Sequence, residues 1–257
     1  DNTTPDKITF ENLQEFLLYL TKEKISERTQ ARGISSIKSF HDYLFLNHIT
    51  DNNPAKTIKK PKVEKHEVDI LTEKEIEALL NFPKLDTPKL IRDKAIFEVL
   101  YGTGIKVSEL VDMDIEDVDF KNNGIKVTRK GGNEMVVYFG PEVEKALKKY
   151  LEVRENITPL AGHEHALFYS TQRRRIGVQA IENLVKKYAR EITTTKKITP
   201  HKLRSTYGTA LYQETGDIYL VADVLGHKDV NTTKKHYAAL DDARRRQAAK
   251  AVRLRED

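Results

Sequence analysis

Four short stretches of this sequence concentrate residues able to handle an anion. GTGIKVSEL (102–110) sets Lys106 between Ile105 and Val107, just past a glycine-rich turn, with Glu109 three residues on. RKGGNE (129–134) puts Arg129 and Lys130 ahead of two glycines, in a tight loop between two apolar runs. HKLR (201–204) spaces His201 and Arg204 three apart at a helix start, so both side chains share one face. The partial positive charge of a helix N-terminus adds to that face. LGHKDVNTTKKHYA (225–238) places His227 beside Gly226, then a Thr-Thr start that leads to Tyr237. Taken singly, each stretch has a plainer reading: Lys106 as a surface charge, HKLR as an ordinary helix start, Tyr237 as amphipathic filler.

Other chemistries drop out quickly. The chain carries no P-loop, dinucleotide fingerprint, GxSxG elbow or HExxH pair. Its tight His/Glu cluster, His163-Glu164-His165, suits neither one helix face nor a familiar zinc site and reads as a surface loop. Zero cysteines exclude disulfides, thiolate zinc and a cysteine nucleophile. No run approaches the ~18 apolar residues of a membrane span, and no signal-peptide pattern opens the chain. A cytoplasmic setting is expected. The net charge of +5 on 257 residues is compatible with an anionic partner and is weak evidence alone. Residue 1 is Asp rather than Met, so a fragment lacking an N-terminal segment is expected.

The elements that must position these residues follow from periodicity. Leu13, Phe16, Leu17 and Leu20, then Ile34, Ile37, Phe40, Tyr43 and Leu44, recur at helical spacing and predict a small helical unit within 1–51. Residues 52–70 carry two prolines and five lysines (Lys56, Lys59, Lys60, Lys62 and Lys65) and read as an extended basic linker. It is a solvated tether or a segment tracking a phosphate backbone. From Leu71 the pattern restarts, with a capping box at Thr72-x-x-Glu75 and a helix from about 89 to 101. Short strands around Asn123-Gly124 and the RKGGNE loop predict a small antiparallel sheet. Helices follow from Pro141, over 178–192, from Thr199-Pro200 to Thr215, and at about 217–225, 232–239 and 241–254. The fold class is mostly α with a small antiparallel sheet, in two domains.

In order and spacing, GTGI-[basic]-VSEL, the loop lysine, HxLR, LGH and TT-x-x-x-Y together resemble the catalytic domain of tyrosine recombinases, the phage-integrase and Xer family, most of all integrases of conjugative transposons. The resemblance spans the chain. It implies a helical, SAM-like core-binding domain at 1–51, a linker at 52–70 and an α+β catalytic domain at 71–257. By resemblance, Tyr237 is the nucleophile, Arg204 the second catalytic arginine, His201 the histidine of the HxxR pair and His227 the LGH histidine. Lys130 is the hairpin-loop lysine, with Arg129 the alternative, and Glu109 is the acidic residue that orients its basic neighbours. Lys106 stands where the family has its first arginine.

What that implies chemically is metal-free and cofactor-free cutting of a phosphodiester. A caged phosphate needs fixed donors, a nucleophile and an acid for the leaving oxygen. Tyr237 would form a 3′-phosphotyrosyl bond, Arg204 would grip two phosphate oxygens, and Lys130 would protonate the 5′-oxygen. Arg173, Arg174, Arg175, Lys186 and Lys187 are candidate phosphate contacts, with a solvated basic face as the alternative. The partners implied are double-stranded DNA at core recombination sites, a homo-oligomer (a dimer per site, a tetramer in synapsis) joined by exchange of the 241–254 helix, and an accessory excision factor. The missing segment would be an arm-binding domain, so binding to core but not arm-type sites is expected. A type IB topoisomerase shares the constellation, and a regulator on a recombinase scaffold would bind without cutting. Lysine at 106 keeps charge but loses the planar two-point grip, so cleavage is expected to be slowed or nearly abolished while binding survives. That departure fits natural attenuation or a deliberate substitution that traps uncleaved complexes; the intact remainder of the set favours the second.

Overall fold

The computed structural model describes residues 4–63, 70–83, 86–129, 131–227 and 230. The chain divides into two compact units, 1–67 and 68–257. The first holds two helices, α1 (Phe10–Lys22) and α2 (Glu27–Leu46). Thr9 caps α1 through a reciprocal pair with Asn12, and Ser26 caps α2 by accepting from the Thr29 amide.

The apolar stripes of these helices are only partly covered. Leu13 and Ile34 form a small core with Ala55 and Ile58, while Phe16, Tyr19, Phe40 and Tyr43 remain exposed. A pair of helices buries one seam, and side chains away from it stay wet. The stretch expected as an extended tether is structured over its first half. Residues 54–57 form a turn, Ala55 and Ile58 enter the seam, and Lys38 Nζ donates to the Lys56 carbonyl at 3.0 Å.

In the second unit, α4 (Pro88–Thr103) is the central element, packed against α6 (Pro141–Arg154) and α8 (Pro200–Thr215). Ile91, Ala95, Ile96, Phe97, Val99 and Leu100 are buried on several sides of α4, as a core helix requires. Around it lie α3 (Glu73–Asn81), α5 (Val107–Asp112), α7 (Val178–Ile192) and α9 (Ile218–Leu225). The Thr72–Glu75 capping box forms as predicted, with both reciprocal bonds present.

One antiparallel sheet, in the order β1 (Val118–Asp119), β2 (Gly124–Arg129), β3 (Asn133–Tyr138), covers the core edge. Ile125 pairs with Val137 and Val127 with Met135, which turns Ile125, Val127 and Val137 inward. Arg129 pairs with Asn133 at the end of the hairpin, so β2 delivers Arg129 to the rim where α5 and α9 meet it. The mostly helical class with a small sheet is therefore correct. The helices expected at 232–239 and 241–254 lie outside the described residues.

Candidate active site

The site is assembled where two helices end and two begin. α4 stops at Gly104, whose left-handed φ of +62° turns the chain sharply. A Cβ there would come within 2.3 Å of the Tyr207 ring, so only glycine fits. The turn delivers Lys106 as the N-cap of α5. Glu109, three residues on, folds back: its Oε2 accepts the Lys106 backbone N–H at 2.9 Å, and its Oε1 lies 3.2 Å from Lys106 Nζ. The Glu109 side chain is 3% exposed and that of Lys106 41%, so the carboxylate is fixed and the ammonium stands at the rim.

Arg204 comes from the second turn of α8, opened by Thr199 and Pro200 as the sequence predicts; the Thr199 hydroxyl accepts from the Lys202 amide at 3.3 Å. Arg204 is 4% exposed. Its two terminal nitrogens donate to the carbonyls of Gly104 and Leu225, so one guanidinium joins the turn after α4 to the end of α9. His201 lies one helical turn earlier on α8 and is exposed.

His227 follows the left-handed Gly226 that ends α9, at φ +61°. Its backbone N–H donates to the Ala222 carbonyl at 2.8 Å, and that of Gly226 to Asp223 at 2.8 Å, closing the helix end. Arg129 also arrives here. Its Nη2 donates to the Val224 carbonyl at 2.8 Å, and its Nε lies 4.0 Å from Glu109 Oε1. Burial pulls the Arg129 guanidinium below its ordinary pKa, with Glu109 and Asp223 acting the other way. It remains a cation, because its ordinary value lies far above neutrality.

Lys106, Glu109 and Arg204 are thus brought together with the turn that carries His227. Lys130, Tyr237 and Lys65 lie outside the described residues. Lys56, Lys59, Lys60, Lys62, Arg173, Arg174, Lys186 and Lys187 are exposed. Arg175 is held differently from its two neighbours in the run. It donates to the carbonyls of Val111 and Met113 and pairs with Asp114, so it braces the loop beside α5 and its charge is engaged within the protein. Its backbone bridges to Tyr169, and its side chain is half-buried while those of Arg173 and Arg174 are exposed.

His165 is exposed and pairs with Glu116 at 2.7 Å, which raises its pKa. Among the described residues no group of three or more His, Asp or Glu is placed to hold a metal ion, and no helix is long and apolar enough to cross a membrane. The sequence reading missed how Arg129 is used. Its one local signal was a second cation beside Lys130, and its contacts come from residues far along the chain.

Comparison with known proteins agrees with this geometry. Tyrosine recombinase XerD of Oceanobacillus iheyensis is 36% identical over 232 residues, covering 90% of this chain and 78% of that protein. Tyrosine recombinase XerC of Thermodesulfovibrio yellowstonii is 34% identical over 233 residues, covering 90% and 77%. Among solved structures, the XerA recombinase superposes with a TM-score of 0.62 at 30% identity, over 99% of this chain and 87% of that one. The Tn1549 transposon integrase, solved in complex with circular intermediate DNA, superposes with a TM-score of 0.78 at 22% identity, over 98% and 87%. That last likeness is one of fold. The Phage integrase family model matches residues 69–244, the region that builds the site, and the chain belongs to this family of tyrosine recombinases.

Proposed function

We propose that this chain cuts and rejoins DNA at specific sites through a 3′-phosphotyrosyl bond on Tyr237, as the integrase and excisionase of a mobile element. The observation that carries this reading is the position of Arg204, buried where the Gly104 turn and the α9 end converge, the same turn that leads into the Lys106–Glu109 pair. Fixed donors around one point are what a pentacoordinate phosphate requires.

In the proposed reaction the Tyr237 phenol loses its proton to a site histidine and its oxygen attacks the scissile phosphorus. The bond to the 5′-oxygen breaks, and that oxygen takes a proton from Lys130. Arg204, His201 and His227 hold the phosphate oxygens. A second 5′-hydroxyl attacks the phosphotyrosine and restores the phosphodiester, so no external energy source is consumed. Lys106 supplies charge without the planar fork of arginine, so cleavage is slow in this form and binding persists. The exposed Lys56, Lys59, Lys60, Lys62, Arg173, Arg174, Lys186 and Lys187 would contact phosphates. Two subunits would occupy each core site and four a synapse, exchanging the 241–254 segment, with an accessory factor setting direction.

The mobile-element assignment is supported by the spacing of the sequence motifs and by the fold shared with the Tn1549 transposon integrase. A nicked suicide duplex that traps the covalent product tests the chemistry. An adduct lost in Tyr237→Phe is expected; site-specific binding with no adduct, even in Lys106→Arg, would favour a non-cutting regulator.

A further inference from the structure

Arg129 occupies a place in this site that neither the family motif nor the mechanism above gives it. A Cβ on Gly226 would lie 1.1 Å from Arg129 Nη1 and 2.1 Å from Cζ. The guanidinium therefore fills the space a side chain at 226 would take, beside the backbone that leads into His227. It donates to the Val224 carbonyl at 2.8 Å and, at 3.4 Å, to that of Asp223. Arg204 takes the next carbonyl, Leu225. The last carbonyls of α9 form the negative end of its dipole, and those of Val224 and Leu225 are held by two arginines from different elements.

The same guanidinium reaches α5. Arg129 Nε is buried, has no hydrogen-bond partner among the described residues, and lies 4.0 Å from the Glu109 oxygen that meets Lys106 Nζ. Glu109 therefore stands between two cations, one that enters the rim and one that fixes the α9 end. Arg129 also immediately precedes Lys130 in the chain.

We propose that Arg129 is a positioning residue for cleavage: it locks the turn that carries His227 and, through Glu109, sets the placement of Lys106. The inference rests on the recombinase reading. A guanidinium is suited to the task because one rigid plane presents several donors in fixed directions. A lysine at 129 would supply the charge but could not hold two backbone carbonyls and face Glu109 at once.

The test is single-turnover adduct formation on a nicked suicide duplex, with DNA affinity and thermal stability measured in parallel. Wild type, Arg129→Met and Arg129→Lys are compared, each also with Lys106→Arg. Arg129→Met is expected to slow adduct formation about tenfold or more, as loss of a preorganised polar group does, while the Kd for DNA stays within about twofold because no phosphate contact is removed. Arg129→Lys should restore part of that rate. An affinity loss matching the rate loss would overturn the proposal by making Arg129 a DNA contact. A lowered Tm with an unchanged adduct rate would overturn it by making Arg129 a brace alone. Should the Met variant not fold, a wild-type rate in Arg129→Lys would do the same. If neither wild type nor Lys106→Arg forms an adduct, the recombinase reading falls and this inference with it. If an adduct forms and the Arg129 variants match wild type, only this inference falls.

Discussion

The Glu109 carboxylate holds Lys106 twice, accepting its backbone N–H at 2.9 Å and facing its ammonium at 3.2 Å. An acid at the third position of a helix normally caps the helix start. Here the same carboxylate also draws the cap residue's ammonium toward it, 3.2 Å away. Lys106 therefore stands as a cation at the rim, paired to a buried carboxylate.

Replacing Lys106 with arginine should raise adduct formation by about 10²–10³, the effect typical of one fixed donor to a developing anion. Glu109 remains available to orient the longer side chain. Suicide-substrate kinetics on the two forms would show it, and equal rates would place residue 106 away from the phosphate.

Arg173 and Arg174 should behave differently from Arg175 although the three are consecutive. Changing Arg173 or Arg174 to Gln is expected to flatten the salt dependence of DNA binding by about 0.9 in log–log slope for each phosphate no longer neutralised. Arg175→Gln should instead lower stability by about 1–3 kcal/mol, because the Val111 and Met113 carbonyls and Asp114 lose their donor. Binding titrations across salt concentrations, paired with urea unfolding, separate the two effects.

That contrast marks the limit of what could be read beforehand. The Thr72–Glu75 capping box, the Thr199-Pro200 start and the 178–192 helix were legible because a few neighbouring residues determine each. Gly104 and Gly226 were legible as punctuation at left-handed turns, but the close approach of Tyr207 and Arg129 from distant parts of the chain was not. Arg175 could not be told from Arg173 by composition, since its partners Val111, Met113 and Asp114 lie some sixty residues earlier in the chain. Ala55 and Ile58 sit among prolines and lysines, and the polar context concealed two residues that enter a core. The site residues stood out through spacing, whereas the bonds that hold them in place did not.

Arg154 is an internal anchor away from the site. Buried at the end of α6, it donates to the carbonyls of Glu164, Ala166 and Leu167 and to the Tyr169 hydroxyl, and lies over the Tyr169 ring at 4.4 Å. Arg154→Met is expected to cost about 3–5 kcal/mol, because several buried acceptors lose their donor together. Arg154→Lys should recover little, for an ammonium cannot span them. Denaturant midpoints of the three proteins provide the check.

Alkaline unfolding should begin near pH 10. Burial pushes Tyr150 and Tyr188 up to about 12, and the hydrogen bond from the Tyr188 hydroxyl to Asp93 adds to the second shift. A phenol whose folded pKa is raised stays protonated while its unfolded counterpart ionises, so the unfolded state binds fewer protons and stability falls as pH rises. The loss runs from about pH 10 to about 12 and is on the order of 2 kcal/mol per tyrosine. Tyr188→Phe should move the alkaline midpoint upward, as followed by tyrosinate absorbance and circular dichroism together.

Covalent attachment of Tyr237 to DNA can be read by peptide mapping. A nicked duplex carrying the recombination site would be incubated with the Lys106→Arg form, the adduct digested with nuclease and protease, and the modified peptide sequenced by mass spectrometry. A nucleotide 3′-phosphate on Tyr237, abolished in Tyr237→Phe, is the expected result. A phosphorylated residue other than Tyr237, or an adduct that survives Tyr237→Phe, would contradict it.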